Sequence, residues 1–537
     1  MNISASIRKL TLLFITLFIA LSTGLVYWQV VVAQQVTANP HNGRTCLANS
    51  APIRGRIFDR NGVLLADSKP STSGCGYVRH YYEPSLAGLI GYYAGPNYLS
   101  TGIEHQYDDY LSGRRGLTAL DNTINQTLHR PPVGDDLYLT IDVRIQRIVN
   151  KHFDDPIAID NHNTFATDRG SVIVTDPHTG AILAMVSRPG FDPNKLVTTL
   201  DEDHSLSYYN QLANDTKEQP LLERPLQANY VPGSIYKTVS LLAGLDSGKT
   251  SLNENFDQQQ ALGPVTFPGS GHPVGPVGNN IGGYTIRFPV TTEYGFTHSD
   301  NVIFAQVGVN TGADTWLEYN KRFYVGEQIP FDLPVNPSTV LDNNQPLNVD
   351  TLAANAFGQG TDFVTPMQMS LIDDVVANDG QLMRPMLVSK ITDTNNNPIQ
   401  TNDPQSLGQK VSSQTATQVR QAMYGVVRCG SGSIVQNLFT SQAGIIGKTG
   451  TAEVGGTAPA HAWMITQAPY SVTNPGQLPA LTIVAMKENG GEGGATVGPM
   501  IAAMYSDIFT TITKTPLPPP PDPNYCCSAK LLQIGCP

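Results

Sequence analysis

Val231-Pro232-Gly233-Ser234-Ile235-Tyr236-Lys237-Thr238-Val239-Ser240 is the stretch from which the rest of the chain is read. Pro232-Gly233 signals a turn, and Ile235, Val239, Leu241, Leu242 and Leu245 follow with helical spacing. Ser234 is therefore expected at a helix start, where unpaired N–H groups and the positive end of the dipole favour developing negative charge. Lys237, three positions on, shares a helix face with the serine hydroxyl. A serine is a weak nucleophile until a base takes its proton, and a desolvated lysine can be that base. Alone, Ser-x-x-Lys is common, and Ser234 would serve as an ordinary helix cap. Two further motifs change that reading, Ser299-Asp300-Asn301 and then Lys448-Thr449-Gly450.

Three motifs in this order make the chain resemble the penicillin-recognising serine transferases. The resemblance extends from Arg54 to about Phe509. Ile53-Arg54-Gly55-Arg56-Ile57-Phe58-Asp59-Arg60-Asn61-Gly62-Val63-Leu64-Leu65-Ala66 reads as two strands joined at Asn-Gly and is similar to the opening of the class B pedestal. Gly102-Ile103-Glu104 and Gly113-Arg114-Arg115-Gly116 resemble the rest of that pedestal. Asp142 reads as the cap of a helix through Ile145, Ile148 and Val149, and Gly170 to Val186 as an apolar hairpin. Gly358-Gln359-Gly360 and Thr365-Pro366-Met367-Gln368-Met369 predict a loop, then a helix with proline in its first turn that stops at Gly380. Asn39-Pro40-His41-Asn42, the short pedestal, Lys448 to Glu453 and His461-Ala462-Trp463 look like the short class B type called penicillin-binding protein A. The pedestal is too short to contain a glycosyltransferase, so a monofunctional enzyme is expected.

Composition agrees with an exported enzyme. The 537 residues hold two or three domains, 14% are charged, and the net charge is −11. A nucleic-acid-binding face needs clustered Lys and Arg, which this chain lacks. Leu10 to Val32 carries no charge and is long enough to span a bilayer, which needs about 20 residues. Arg8-Lys9 before it put the N-terminus in the cytoplasm and the rest outside. The expected organisation is a cytoplasmic N-terminus (1–9), a retained single-pass cell-membrane anchor (10–32), a pedestal (33–135), a transpeptidase domain (136–512) and a Pro-rich, Cys-containing tail (513–537). The tail is foreign to the usual family pattern. Six cysteines permit disulfides in that compartment, with pairing unreadable from sequence. Eleven histidines show no metal-ligand spacing, so neither metal nor cofactor is expected.

The resemblance implies an α+β fold of the penicillin-binding transpeptidase and serine β-lactamase kind, an antiparallel sheet covered by helices plus a helical subdomain. It implies that Ser234 attacks a D-alanyl-D-alanine stem peptide, with β-lactams as mimics of that substrate. Lys237 would accept the proton, its pKa lowered by burial and by Lys448. Ser299 would pass a proton to the leaving amine, and the Asn301 amide would hold the substrate backbone. Asp300 is assigned no chemical role. Strand alternation places Thr449 and Thr451 on one face, to hold the substrate carboxylate around Gly450, and Lys448 on the other. The N–H groups of Ser234 and Thr451 are the implied oxyanion hole. Trp463 reads as core, and His461 as packed or solvated.

A class A β-lactamase needs a Glu-x-x-x-Asn glutamate to activate water; neither Glu318 nor Glu327 has that form. The function reading is therefore peptidoglycan cross-linking through a Ser234 acyl-enzyme. The alternatives are a D,D-carboxypeptidase and a membrane-anchored β-lactam sensor or scaffold without turnover. Lacking a polymerase, a class B protein implies a partner, a multi-span glycosyltransferase of the shape, elongation, division and sporulation (SEDS) family. Its contacts are expected on Leu10 to Val32 and on residues around Arg54 to Ala66.

Overall fold

The computed structural model describes residues 3–32, 53–71, 76–115, 119, 122, 132–154, 158–160, 163–164, 167–275, 287–343, 345–433, 444–515, 522 and 524–531. Helix α1 (Ile3–Val26) continues through a wider turn at Tyr27–Val31. Within Ile7–Val31 an 18-residue stretch has a mean hydropathy of 2.2, and none of it is buried in the protein. A helix that is apolar all round and uncovered fits a membrane anchor.

The folded body follows in chain order. Strands β1 (Ile57–Phe58), β2 (Leu64–Pro70), β3 (Tyr77–Tyr81) and β4 (Asp136–Leu139) come first, then helix α2 (Val143–Phe153), capped by the Asp142 side chain on the Arg144 N–H. The hairpin β5 (Gly170–Asp176) and β6 (Ala181–Arg188) is buried on both faces for most of its length. Next are α3 (Lys237–Asp246), α4 (Thr292–Thr297), α5 (Asn301–Thr311) and α6 (Pro366–Ala377). Among the elements that follow are β7 (Val388–Thr392), β8 (Pro398–Thr401), α7 (Ser413–Cys429), β9 (Ile446–Ala452), β10 (His461–Ala468), β11 (Leu481–Lys487), α8 (Gly493–Asp507) and the short α9 (Tyr525–Ser528).

The central sheet has five strands in the order β9-β10-β11-β5-β6, antiparallel throughout. One face packs on α2 and α8 through Val149, Phe153, Met464, Ala485 and Ile501. The other packs on α6 and α7, where Val375, Val376, Met423 and Trp463 lie in the largest core. Strands buried on two faces cannot alternate polar with apolar, hence the near-continuous Val/Ile/Met/Ala runs in β5, β6, β10 and β11.

The pedestal sheet has six strands in the order β8-β7-β4-β1-β2-β3. Strand β4, read from sequence as the opening of the transpeptidase domain, pairs parallel with β1 and antiparallel with β7. The pedestal therefore shares its sheet with residues from both sides of position 135. Three strands supplied by residues 57–81 leave one edge of β1 unpaired, and β4 covers it. Beneath the sheet Arg54, Arg79 and Glu104 are buried and ion-paired, with Arg79 Nε 2.6 Å from Glu104 Oε1.

Candidate active site

Ser234 lies in a 3₁₀ turn (Gly233–Tyr236) that leads directly into α3. The turn is wedged against β9, and that contact dictates two glycines. Gly233 has φ +59°, and a Cβ on it would lie 2.6 Å from the Thr451 carbonyl oxygen. A Cβ on Gly450 would lie 2.9 Å from Ile235 Cγ2. Only residues without a side chain let the turn and the strand edge meet. Further bonds hold the approach, from the Gly233 N–H to the Gly358 carbonyl (2.9 Å) and from Trp463 Nε1 to the Val231 carbonyl (3.2 Å).

The three motifs converge on two buried ammoniums. Lys237 Nζ lies 2.7 Å from Ser234 Oγ, 2.6 Å from Asn301 Oδ1 and 3.4 Å from Ser299 Oγ. Lys448 Nζ lies 2.9 Å from the same Ser299 Oγ and donates to the Thr449 carbonyl at 3.0 Å. Strand alternation sends the Lys448 side chain to the inner face of β9, where it reaches Ser299 from below. Both lysines have no exposed surface. Burial pushes the Lys237 ammonium down to about 7, against the opposite pull of the Asp300 carboxylate. Burial likewise depresses Lys448, and the nearby Lys237 adds to the effect. The Phe296 ring sits 5.5 Å from Lys448 Nζ, and Phe304 and Phe357 flank Lys237 at 6.0 and 5.8 Å. These apolar neighbours withhold water from both amines.

Asp300 acquires a structural role. Its Oδ1 accepts from the N–H groups of Val302 (2.8 Å) and Ile303 (3.0 Å), capping α5 and thereby setting Asn301 in its first turn. Ser299 before it stands at φ +62°, a left-handed conformation uncommon for a residue with a side chain. Trp463 is fully buried core. His461 packs edge-on against Tyr230 at 5.4 Å, and its Nδ1 accepts from the Asn489 N–H, so it is a packed residue at the strand end. Glu318 is paired with Arg322, and Glu327 lies 3.6 Å from Lys321; neither makes contact with Ser234.

Thr449 is buried and Thr451 exposed on the outer edge of the sheet. The Thr451 carbonyl accepts from Gln359 Nε2 at 3.2 Å, on the side away from β10. In an antiparallel strand the N–H and C=O of one residue point the same way, so the Thr451 N–H also faces the Ser234 turn. Sequence reasoning missed Ser431, whose Oγ lies 2.6 Å from Thr449 Oγ1. Its Gly-Ser-Gly setting after α7 is a signal of close approach that could have drawn notice.

Comparison with known proteins matches this arrangement. Residues 170–506 match the penicillin-binding protein transpeptidase domain, and residues 54–137 the penicillin-binding protein A dimerisation domain. The peptidoglycan D,D-transpeptidase PbpA of Mycolicibacterium smegmatis is 29% identical over 93% of this chain and 97% of its own. MrdA of Escherichia coli, also named a peptidoglycan D,D-transpeptidase, is 28% identical over 87% of this chain and 78% of its own. The ceftriaxone acyl-enzyme of penicillin-binding protein A from M. tuberculosis superimposes with a TM-score of 0.73 at 27% identity, covering 86% of this chain and 99% of that one. The penicillin G acyl-enzyme of the same protein gives 0.72 at 28% identity, over 85% and 99%. With its catalytic-domain model matched along most of the chain and its pedestal matched separately, the chain belongs to the penicillin-binding protein transpeptidase family, in its short class B form.

Proposed function

We propose that this protein is a peptidoglycan D,D-transpeptidase that cross-links stem peptides through an acyl ester on Ser234 and is acylated there by β-lactams. One observation carries the reading: a fully buried lysine, its ammonium pushed down to about 7 by that burial, lies 2.7 Å from the hydroxyl of a serine at a helix start. In this reading neutral Lys237 takes the Ser234 proton as Oγ attacks the carbonyl of the penultimate D-alanine. Oxygen charge in the tetrahedral intermediate is held by the N–H groups of Ser234 and Thr451. Collapse breaks the C–N bond, and Ser299, between the two lysines, passes a proton to the departing D-alanine amine. The Asn301 carbonyl is taken by Lys237, which leaves its NH₂ as a donor to the substrate backbone. Thr449 and Thr451, flanking Gly450 on the strand edge, hold the terminal carboxylate, while the outer edge of β9 offers main-chain pairing to an extended peptide. The amine of a second stem then attacks the ester.

A fluorescent penicillin should label the Ser234 tryptic peptide, and Ser234→Ala should abolish labelling; labelling that survives sinks the assignment. Paired stem peptides analysed by mass should give a dimer, whereas free D-alanine without dimer would mean carboxypeptidase action.

The same reading includes a single-pass membrane anchor (10–32) with a cytoplasmic N-terminus (1–9) and an extracytoplasmic body, divided into pedestal (33–135), transpeptidase domain (136–512) and tail (513–537). Arg8 and Lys9 before the apolar helix support that orientation. A multi-span SEDS-family glycosyltransferase would supply the glycan strands and contact the anchor and the pedestal around residues 54–66. Replacing the anchor by an unrelated span of equal length tests this, because bulk membrane affinity follows length and apolarity. Undiminished co-purification and wall growth would remove the helix from partner recognition.

A further inference from the structure

The C-terminal segment, beyond the residues 170–506 that match the transpeptidase domain, docks directly behind the second motif. Cys429, the last residue of α7, is disulfide-bonded to Cys526 in α9. The Tyr525 ring packs edge-on against Tyr424 of α7 at 4.7 Å. The chain then turns back, and the Leu531 N–H donates to the Cys526 carbonyl at 2.8 Å. Leu531 is fully buried in the main core, close enough to α7 that a Cβ on Gly425 would lie 3.0 Å from its Cδ1. Its carbonyl, finally, accepts from His298 Nε2 at 2.7 Å. His298 immediately precedes Ser299, and its ring lies 4.3 Å from Tyr294.

We propose that this segment is a brace for the second motif, and that His298 is a positioning residue which holds Ser299 between Lys237 and Lys448 by way of the Leu531 carbonyl. The argument is mechanical. A serine at φ +62° stands in a conformation of higher energy, and such a conformation persists only where surrounding contacts over-determine it. On the chain side Ser299 has its own N–H bonded to the Phe296 carbonyl at 3.2 Å, a long bond. The imidazole next to it is pinned between Tyr294 and the Leu531 carbonyl. Leu531 is held in turn by Cys526, and Cys526 covalently by α7. Two residues beyond Cys429, at this same end of α7, stands Ser431, whose N–H donates to the Thr297 carbonyl and whose hydroxyl meets Thr449. One disulfide thus sits where a support for the second motif and a support for the third converge.

The inference rests on the proton-passing role proposed for Ser299, and the test separates the two. Acylation of the full-length protein by a chromogenic penicillin is followed by stopped flow, which resolves initial binding from the chemical step. Misplacing a proton relay slows chemistry and leaves binding alone, so the acylation rate constant should fall about 10- to 100-fold in His298→Phe with the binding constant unchanged. His298→Gln, which keeps a donor for the Leu531 carbonyl, should stay within a few-fold of the parent. C429S/C526S should lose rate as His298→Phe does, and the two changes combined should be no worse than His298→Phe alone, because both cut one brace. Parent-like rates in both, equal damage in the Gln and Phe variants, or losses that multiply would overturn the brace. If C429S/C526S fails to fold, the Phe and Gln pair decides. Amide exchange at residues 298–303 reads the brace without chemistry and should quicken in His298→Phe; unchanged exchange counts against it. Should exchange quicken while Ser299→Ala acylates at the parent rate, the proton role of Ser299 fails and the kinetic inference falls with it.

Discussion

Two of the buried-charge clusters among the described residues, one in the pedestal and one in the cleft, are built on opposite principles. In the pedestal, Arg54 and Arg79 share Glu104, with Arg54 Nη2 2.8 Å from Glu104 Oε2. Burial alone would raise the Glu104 carboxyl, but Arg79 and Arg54 hold it below the usual carboxylate range. Glu104 and Arg54 are each driven further into the charged form. In the cleft, Lys237 and Lys448 are as deeply buried, yet their partners are hydroxyls, an amide and a carbonyl. Both amines are driven toward neutrality. A buried charge that is paired holds a fold together, and a buried amine deprived of a counter-ion is prepared to exchange a proton.

The largest effect should come from abolishing the exchange while keeping the charge. Lys237→Arg cannot act as a base, since guanidinium stays protonated, and acylation should fall by about 10²–10⁴-fold. Lys448→Arg keeps a hydrogen-bond donor near Ser299 and should retain part of the rate; equal retention by both variants would contradict the assignment of Lys237 as the base. Breaking the pedestal cluster should act on stability instead. Glu104→Ala leaves two buried guanidiniums without their shared carboxylate and should cost about 3–5 kcal/mol by denaturant unfolding. Acylation per folded molecule should stay near the parent value, and a rate loss at unchanged stability would dissolve the contrast.

A smaller effect follows pH. With Lys237 as the proposed base, only its neutral form can accept the proton, so the acylation rate should be level well above pH 7, half-maximal near 7 and about tenfold lower for each further unit downward. The same shift has a stability sign. The folded value lies below the ordinary 10.5, so between about 7 and 10.5 the unfolded chain binds more protons. This group's contribution therefore makes the protein more stable as pH rises through that window. A rate that is flat from pH 5 to 8 would remove Lys237 as base. The smallest effect belongs to Asp300. Asparagine caps a helix nearly as well, so Asp300→Asn should leave thermal stability almost unchanged, while Asp300→Ala should lose about 1 kcal/mol.

What could be read beforehand was local. Asp142 as a cap, Pro366 in a first turn, and Ser234 beside Lys237 depend on residues a few positions apart, and the structure shows each of them. The reach of Lys448 to Ser299 was implied by resemblance; alternation shows only that its side chain leaves the strand on the face opposite Thr449. The pairing of Ser431 with Thr449, the docking of Leu531 and the entry of β7 into the pedestal sheet were not legible. Each depends on a partner far away in the chain, and side-chain patterns specify that a face is buried without specifying what buries it. Cys429 and Cys526 illustrate the point, since their separation of 97 residues carries no sign of their pairing.

The shared pedestal sheet has a consequence for how the protein is made. Ser389 of β7 donates to the Tyr138 carbonyl of β4 across 251 positions of sequence. A chain emerging from its N-terminus therefore presents β1 to β4 long before β7 and β8 exist to cover the open edge of β4. Closing so long a loop is slow, and an uncovered strand edge is a template for pairing with another chain. During that interval the nascent protein should be at its most vulnerable to aggregation and to proteases, and it leaves that state only when residues 388–401 arrive.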